Sequence, residues 1–473
     1  MRPSLAKNSM FNVAYQLVLV LVPLISSMYV SRVVLPDALG EVSVANNLVS
    51  YFVALAPLGI PAYGVREIAK AGDDRRARSA VFSELLIINF VSTVVFLAAY
   101  AVCVAIMYGA AVPELYLIFG SLIVANALNV EWLFQGIERY DFISIRGTVV
   151  RTTCLLLTVL LVKSPSDVYA YAAITCLGTF ANYIVNVFCL HRSVDFTLKG
   201  LSFARHLRPV AVLAGTNVLF SLYTKIDITM MGFLCSSSIV AYYAYAYNAE
   251  EIAKTLCVAI TNVYLPRLSY EFKNDTKEFS RLVQQSMDLN VFIALPMCLG
   301  VFILAPKVVI ILFGDAFAPA SLTLQLFALL IFAKSVGNVI YQTTIATGNE
   351  RYQLVAYTCG VVVNIVLNAI LIPLFAQNGA VVATVVTEVT LDLVLWACLK
   401  RYLRVWFTAR FVLSTLVALV VMCAAVVACD MLIASNLLCI VVAAFVAAVV
   451  YAAVGVLLKN EVALMFLRKL VRK

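Results

Sequence analysis

Fourteen apolar stretches, most of them long enough to cross a bilayer, follow one another along the 473 residues and leave room for little else. They run at 10–31, 42–64, 80–108, 114–136, 147–163, 168–190, 209–234, 238–263, 284–305, 320–346, 352–375, 379–399, 409–431 and 437–458. A membrane helix needs roughly 20 predominantly apolar residues, and the longer runs here are expected to tilt. The fifth is short and begins near Arg151. Apolar residues make up 63% of the chain and charged residues 12%, against roughly 45–50% and 25% in soluble domains. The mean hydropathy is +0.99, so the missing solvent is lipid. The runs are apolar on all sides rather than alternating, which excludes a transmembrane barrel. The expected fold is an all-α integral membrane bundle of about fourteen transmembrane helices.

Charge in the connecting loops sets the topology. One set of alternate loops, with the two ends of the chain, carries 27 basic residues, among them Arg2, Lys7, Arg66, Arg75, Arg139, Arg146, Arg192, Lys199, Arg267, Arg351, Arg404, Lys469, Arg472 and Lys473. The other set carries only Arg32, Lys163 and Lys307. Positive loops stay in the cytoplasm, which predicts both termini there and an even number of spans. The net charge of +9 is therefore a topology signal, and no aromatic-interleaved basic face suggests nucleic acid. No cleavable signal peptide is read at the start, because the first run is too long and lacks a small-x-small site.

Outer loops such as Leu35–Asp37, Lys163–Asp167 and Cys235–Ser238 are too short for an extracellular domain. No inner segment could hold a nucleotide-binding domain, and no G-x-x-x-x-G-K-[ST] loop occurs. Energy for any transport must come from an ion gradient, the membrane potential or the substrate's own gradient. The twelve cysteines are singletons without a C-x-x-C and read as small buried or lipid-facing residues. With only His191 and His206, both in one polar loop, neither a zinc site nor a cofactor is expected.

Two stretches resemble each other about 201 residues apart. Gly40-Glu41-Val42-Ser43-Val44-Ala45-Asn46-Asn47 corresponds to Ala241 through Asn248. The spans that follow end in Pro61-Ala62-Tyr63-Gly64-Val65-Arg66 and Val263-Tyr264-Leu265-Pro266-Arg267. Two six-helix lobes in parallel orientation are a known transporter plan with a substrate path between them. The expected division is 1–195 and 196–404 for the lobes, then 405–473 for helices 13 and 14 and a basic tail.

An ionisable side chain at mid-bilayer is costly and is a functional candidate by default. Central positions fall on Lys225, Asp227, Glu250, Glu251, Lys254, Lys334, Glu388 and Asp392, whereas Arg32, Glu84, Glu131 and Arg151 lie nearer helix ends and could snorkel. Glu250 and Lys254 are spaced to neutralise each other within one helix or to serve substrate or coupling. Lys225 and Asp227 point to different faces and need partners on other helices or a wet cavity. Lys334 has no carboxylate on its own helix. Glu388 and Asp392 share a face and repel, so that one is protonated, a coupling cation sits between them, or they pair with Lys334 or Lys225. Asparagines such as Asn47, Asn126, Asn338 and Asn368 read as interhelical hydrogen-bonding glue.

One family accounts for several of these features together. Gly348-Asn349-Glu350-Arg351, then Gly360, Asn364, Asn368, Leu371-Ile372-Pro373, Gly379-Ala380, Ala383-Thr384 and Glu388 resemble helices 11 and 12 of the Wzx-type polysaccharide flippases. These belong to the multidrug/oligosaccharidyl-lipid/polysaccharide exporter superfamily. Tyr29-Val30-Ser31-Arg32 and Gly64-Val65-Arg66-Glu67-Ile68-Ala69 resemble that family's first two helices, and Asp227 to Gly232 with Tyr242-Tyr243 its seventh and eighth. Ala376 departs from the pattern, since many relatives carry glycine there, and is expected to loosen one turn.

The resemblance implies a pseudo-twofold exporter fold in the bacterial cytoplasmic membrane. It further implies a flippase, not an enzyme, that carries an undecaprenyl-pyrophosphate-linked oligosaccharide from inner to outer leaflet. Lys225 and Lys334 would attract the pyrophosphate in a cavity between the lobes, with Arg32 and Arg151 at its mouth. Asp227, Glu250, Lys254, Glu388 and Asp392 would hold Na+ or H+ or pair with one another. Polysaccharide polymerase and glycosyltransferases are the protein partners implied. The alternatives are an ion-coupled multidrug or toxic-cation antiporter, or a lipid II flippase, of the same superfamily. A membrane-embedded glycosyltransferase or polymerase fits less well, because it should carry a large outer loop or an interfacial acid cluster.

Overall fold

A computed structural model describes residues 5–471 apart from 199 and 404. Arg2, Lys199, Arg404, Arg472 and Lys473 of the charge alternation lie outside the described residues, as do the side chains of Lys7, Arg192 and Lys469. The described residues form α-helices and short 3-10 turns, with no strand among them. The chain divides into two compact units, Met1–Gly232 and Phe233–Lys473.

The first unit contains α1 (Leu5–Val33), α2 (Pro36–Leu55), α3 (Ile60–Ala71), α4 (Arg75–Tyr108), α5 (Glu114–Asn126), α6 (Glu131–Gly136), α7 (Tyr140–Leu161), α8 (Val168–Cys189) and nearly all of α9 (Ala204–Leu234). The second contains α10 (Ser237–Asn262), α11 (Leu265–Asn274), α12 (Thr276–Phe313), α13 (Ala320–Ala346), α14 (Arg351–Leu399), α15 (Ala409–Leu432), α16 (Asn436–Leu457) and α17 (Glu461–Val471). Among the described residues, ten helical segments are long and apolar enough to cross a membrane. Of the fourteen runs read from the sequence, three fall outside that ten and two share one segment, α14. The side chains of α1 are described from Val18 onward, which leaves the shorter apolar segment Val18–Val33, and α5 is short. Helix α10 carries Glu250, Glu251 and Lys254, and α14 bends into two arms. Side chains such as Ile106 (81% exposed) and Phe188 (73%) face outward, as lipid-facing residues must when there is no water to avoid.

The repeat seen in the sequence has a structural counterpart in each unit. Helices α2 and α10 each end at a proline-led break, and Pro61 and Pro266 occupy the first turn of α3 and α11. Proline is favoured there because its missing N–H would be unbonded anyway. Both short helices are amphipathic, with Arg66 and Lys70 on the exposed face of α3. Each is followed by an aspartate N-cap and a long helix. Asp74 accepts from the N–H groups of Arg76 and Ala77 at the start of α4, and Asp275 from those of Lys277 and Glu278 at the start of α12. An N-cap of this kind stabilises a helix by roughly 1 kcal/mol. In the first unit the core beneath α3 is built on Ile60, Ile68, Phe82, Leu85 and Trp132. The Trp132 ring fills the space that a Cβ on Gly64 would need. Asparagines join helices as expected: Asn126 Nδ2 donates to Asn89 and Thr93 on α4, and Asn338 Nδ2 to Thr261 on α10.

Helix α14 carries the clearest backbone irregularity. Its two arms meet at Ala376, with φ +49° and ψ −130°. Gly72 and Gly109, which end α3 and α4, adopt nearly the same conformation at φ +56° and +60° with ψ −129°. A Cβ is crowded in this region, which is why glycine is normally found in it. Ala376 therefore strains the turn rather than loosening it, contrary to the expectation from the missing glycine. At Gly379 the arms come so close that a Cβ would collide with the Leu371 carbonyl.

The last helices pack on α12 through Phe292, Met422, Val426, Ala443 and Tyr451. Lys307 of α12 pairs with Asp430 at 3.0 Å and also donates to the Asp430 and Ile433 carbonyls. Asn460 caps α17 and donates to Ser414 and Thr415 of α15.

Candidate functional site

In the second unit, α10, α13 and α14 pack together and gather most of the charged positions read from the sequence. The order of pairing differs from the expected one. Lys254 pairs with Glu251, three residues before it, at 2.5 Å rather than with Glu250. Both spacings place side chains on one helix face, so sequence alone could not choose between them. Glu250 turns instead toward α13, where Lys334 Nζ stands 3.7 Å from its Oε2. The Glu250 side chain is fully buried, and its two oxygens find no hydrogen bond among the described residues. Lys334 Nζ also lies over the Tyr247 ring, 5.1 Å from its centroid, in a cation–π contact.

Glu388 of α14 acts electrostatically on both Lys334 and Glu250. One turn further along, the Asp392 carboxylate occupies the space a Cβ on Gly337 would need, and Gly337 lies one turn from Lys334. The site therefore holds Glu250, Glu251, Glu388 and Asp392 against Lys254 and Lys334, an excess of carboxylates over ammonium groups. Such a set can bind protons or a small cation. The half-buried Lys334 can also exchange a protein carboxylate for an anionic ligand.

Lys225 and Asp227 belong to a different place. Residues up to Gly232 of α9 cluster with the first unit, and there α9 meets α2. Asn47 Nδ2 donates to the Lys225 carbonyl at 3.2 Å and to Thr229 Oγ1 at 2.8 Å. The Tyr51 hydroxyl lies 2.9 Å from the same Thr229 oxygen. Asp227 is buried and acts on Tyr51. The Lys225 side chain is half-buried and makes no ion pair among the described residues. It is thus an ammonium on a spanning helix whose charge is left for solvent or ligand.

Arg32 ends α1 in an exposed position, with its guanidinium folded back to donate to the Met28 carbonyl at 2.7 Å. Arg151 lies on α7, with a buried Nε that has no acceptor among the described residues. The other first-unit charges correct the reading that they snorkel or lie in loops. Arg146, counted among loop cations, is on α7 and 6% exposed; it pairs with Glu131 at 2.6 Å and donates to Asn186.

Glu84 is fully buried and accepts from Ser202 N, Arg205 and His206, each at 2.6 Å. His206 opens α9 instead of lying in a loop, and its other ring nitrogen is 2.9 Å from the Tyr63 hydroxyl. The segment leading to it runs along α4. Arg75 grips Asp195 with two bonds of 2.8 Å, and Asp195 N and Thr197 N donate to Ser79 and Ser83 at 2.9 Å. Sequence reading missed this fastening. Its signal was the spacing of Arg75, Ser79 and Ser83, one helical turn apart on one face.

The comparisons with known proteins agree with this architecture. A family model described as "Polysaccharide biosynthesis protein" matches residues 5–271, and a MatE model matches residues 213–370. A protein named "Putative O-antigen transporter" from Shigella dysenteriae is 25% identical over 393 residues, covering 80% of this chain and 96% of that protein. Among solved structures, the lipid II flippase MurJ in its inward closed conformation has a TM-score of 0.77 at 14% identity, over 96% of this chain and 99% of that one. An inward-facing multidrug resistance MATE family transporter has a TM-score of 0.62 at 15% identity, over 81% and 94% of the two chains. These structural likenesses establish the fold.

Proposed function

We propose a function from one premise: the chain belongs to the polysaccharide biosynthesis protein family, whose model covers more than half of it. It carries a lipid-linked oligosaccharide from the inner to the outer leaflet of the bacterial cytoplasmic membrane, for surface polysaccharide synthesis, and is a transporter rather than an enzyme. The observation that supports this most directly is the near end-to-end match to a relative named for O-antigen transport, of which 96% is covered.

The finer reading follows from physical chemistry. An undecaprenyl pyrophosphate carrier has a dianionic head that cannot enter hydrocarbon unaided. Buried or half-buried ammonium groups are the side chains that would compensate it. Lys225, without an ion pair among the described residues, and Lys334, whose partner Glu250 lies 3.7 Å away, are the proposed head-group contacts. Arg32 and Arg151 receive the substrate near the helix ends. The carboxylate excess around Glu388 and Asp392 holds the coupling ion, H+ or Na+. Both termini lie in the cytoplasm, and polymerase and glycosyltransferases act before and after the flip.

A second reading, a toxic-cation antiporter, is favoured by the MatE match over residues 213–370 and by the same excess of carboxylates. A strain lacking the protein separates the two. Accumulated undecaprenyl-pyrophosphate-linked repeat units with lost surface glycan establish the flippase. Normal glycan with new sensitivity to cationic drugs moves the protein to the antiporter branch.

A further inference from the structure

Between α10 and α13 the second unit carries a band of uncharged polar side chains that the head-group and coupling roles leave unused. On α13, Lys334, Asn338 and Tyr341 follow one another at spacings of four and three and share one helix face. Of residues 333–344, only these three and Val336 are not buried. The lipid-facing positions noted above, Ile106 and Phe188, are apolar. A lysine, an amide and a phenol on the open face of a spanning helix mean that this face meets water or a polar ligand rather than hydrocarbon. Across from it on α10, the Glu251 side chain is 41% exposed, and Asn262 is exposed as well.

The band is also incompletely bonded. Asn338 Nδ2 donates to Thr261 Oγ1 at 2.9 Å and to Asn262 Oδ1 at 3.3 Å. Gln342 Nε2 donates to the same Asn262 oxygen at 2.8 Å. These bonds fix the orientation of all three amides, and each amide keeps one end over. Among the described residues, Asn262 Nδ2 has no acceptor and Asn338 Oδ1 has no donor. Gln342 is 2% exposed, yet its Oε1 finds no donor there either. A buried amide oxygen left in this way is costly unless something else donates to it.

We propose that this band is the subsite for the first sugars of the lipid-linked glycan, a reading that rests on the flippase function above. A sugar hydroxyl donates and accepts at once. It therefore matches a set that offers N–H groups on Asn262 and carbonyl oxygens on Asn338 and Gln342. The Tyr341 ring, 37% exposed, adds an amphipathic aromatic surface of the kind that packs on the C–H face of a pyranose. The five residues Thr261, Asn262, Asn338, Tyr341 and Gln342 bring no charge, which suits a neutral glycan and not a second phosphate. Asn338 follows Lys334 by one helical turn, about 6 Å along the axis. A pyrophosphate held at the lysine thus places the sugar it carries beside the amides.

The test uses the full chain in lipid nanodiscs and two probes of equal charge. One is the lipid-linked oligosaccharide extracted from a strain lacking the protein. The other is undecaprenyl pyrophosphate closed by a methyl ester, which has the same two phosphates and no sugar. Asn262→Ala should weaken binding of the glycan probe about tenfold, the effect of one or two lost hydrogen bonds, and leave the methyl ester unchanged. Tyr341→Leu, at an exposed position that makes none of the interhelical bonds, should show the same selective loss even should the alanine variant not fold. Lys334→Met should weaken both probes alike. Equal effects of Asn262→Ala and Tyr341→Leu on the two probes, or no effect on either, would make the band interhelical glue and overturn the proposal while the parent still binds the glycan lipid. A deletion strain that accumulates no lipid-linked glycan, or a parent protein that binds neither probe, would reject the flippase reading and the subsite with it.

Discussion

Lys334 can be either half of an ion pair or a ligand for substrate, and a double-substitution cycle separates these roles. The partners stand 3.7 Å apart, where two unit charges attract by about 4 kcal/mol at an effective dielectric constant near 20. Glu250→Gln alone leaves a half-buried ammonium with only the more distant influence of Glu388 and Glu251, and Lys334→Met alone leaves a fully buried carboxylate. Each single change should cost about 3 kcal/mol and lower the apparent melting temperature by roughly 5 °C in detergent. Intrinsic fluorescence can follow this, since Trp396 lies on α14 in the same unit as the pair. The double variant removes both charges and should return to within about 1 kcal/mol of the parent. Surface-glycan complementation is read on the same variants. Recovered stability without transport would assign Lys334 to the substrate. Recovered transport would make the pair purely structural, and a Glu250→Gln protein as stable as the parent would refute the geometry behind the argument.

Three further outcomes are expected. Ala376→Gly should stabilise the protein by about 1 kcal/mol, since relief of a strained φ outweighs the added freedom of the unfolded chain; a lower melting temperature would contradict it. Gly379→Ala should cost about 3 kcal/mol or more, because the colliding atom is the Leu371 backbone rather than a mobile side chain, and it should be visible as loss of monodisperse protein. Lys225→Ala should reduce surface glycan while leaving membrane insertion intact, and Lys225→Arg should retain part of it; unchanged glycan in the alanine variant would remove Lys225 from the head-group role.

The class of fold was legible because hydropathy is a sum over many residues, and its message survives local error. The elbows were only half legible. Pro61 and Pro266 marked them, and the apolar run at 238–263 stopped at its break, yet the run at 42–64 continued past the other, because the buried face of α3 is itself apolar. Spacing along the helices did not give the charges their partners. Glu250 and Lys334 are 84 positions apart and meet only because α10 packs on α13, whereas the spacing rule offered Lys254 at once. The pairing of Glu84 with His206 was invisible for the same reason, since it is made by a segment folded back on α4. Ala376 was noticed as a departure, but the sign of its effect needed the dihedral angle.

The fastening of Asp195, Thr197, Ser202 and His206 to α4 also decides where this chain can be divided into two separately made polypeptides. A gene cut after residue 195 would leave Ser83 and Glu84 on one piece, and Thr197, Ser202, Arg205 and His206 on the other. The first fragment would expose a buried carboxylate stripped of its donors until the second arrived, and should be short-lived in the cell. A cut between Cys235 and Ser236, in the turn that joins α9 to α10, keeps every one of those bonds within a single fragment. Reassembly of activity from co-expressed pieces should therefore succeed at that turn and fail at the earlier site.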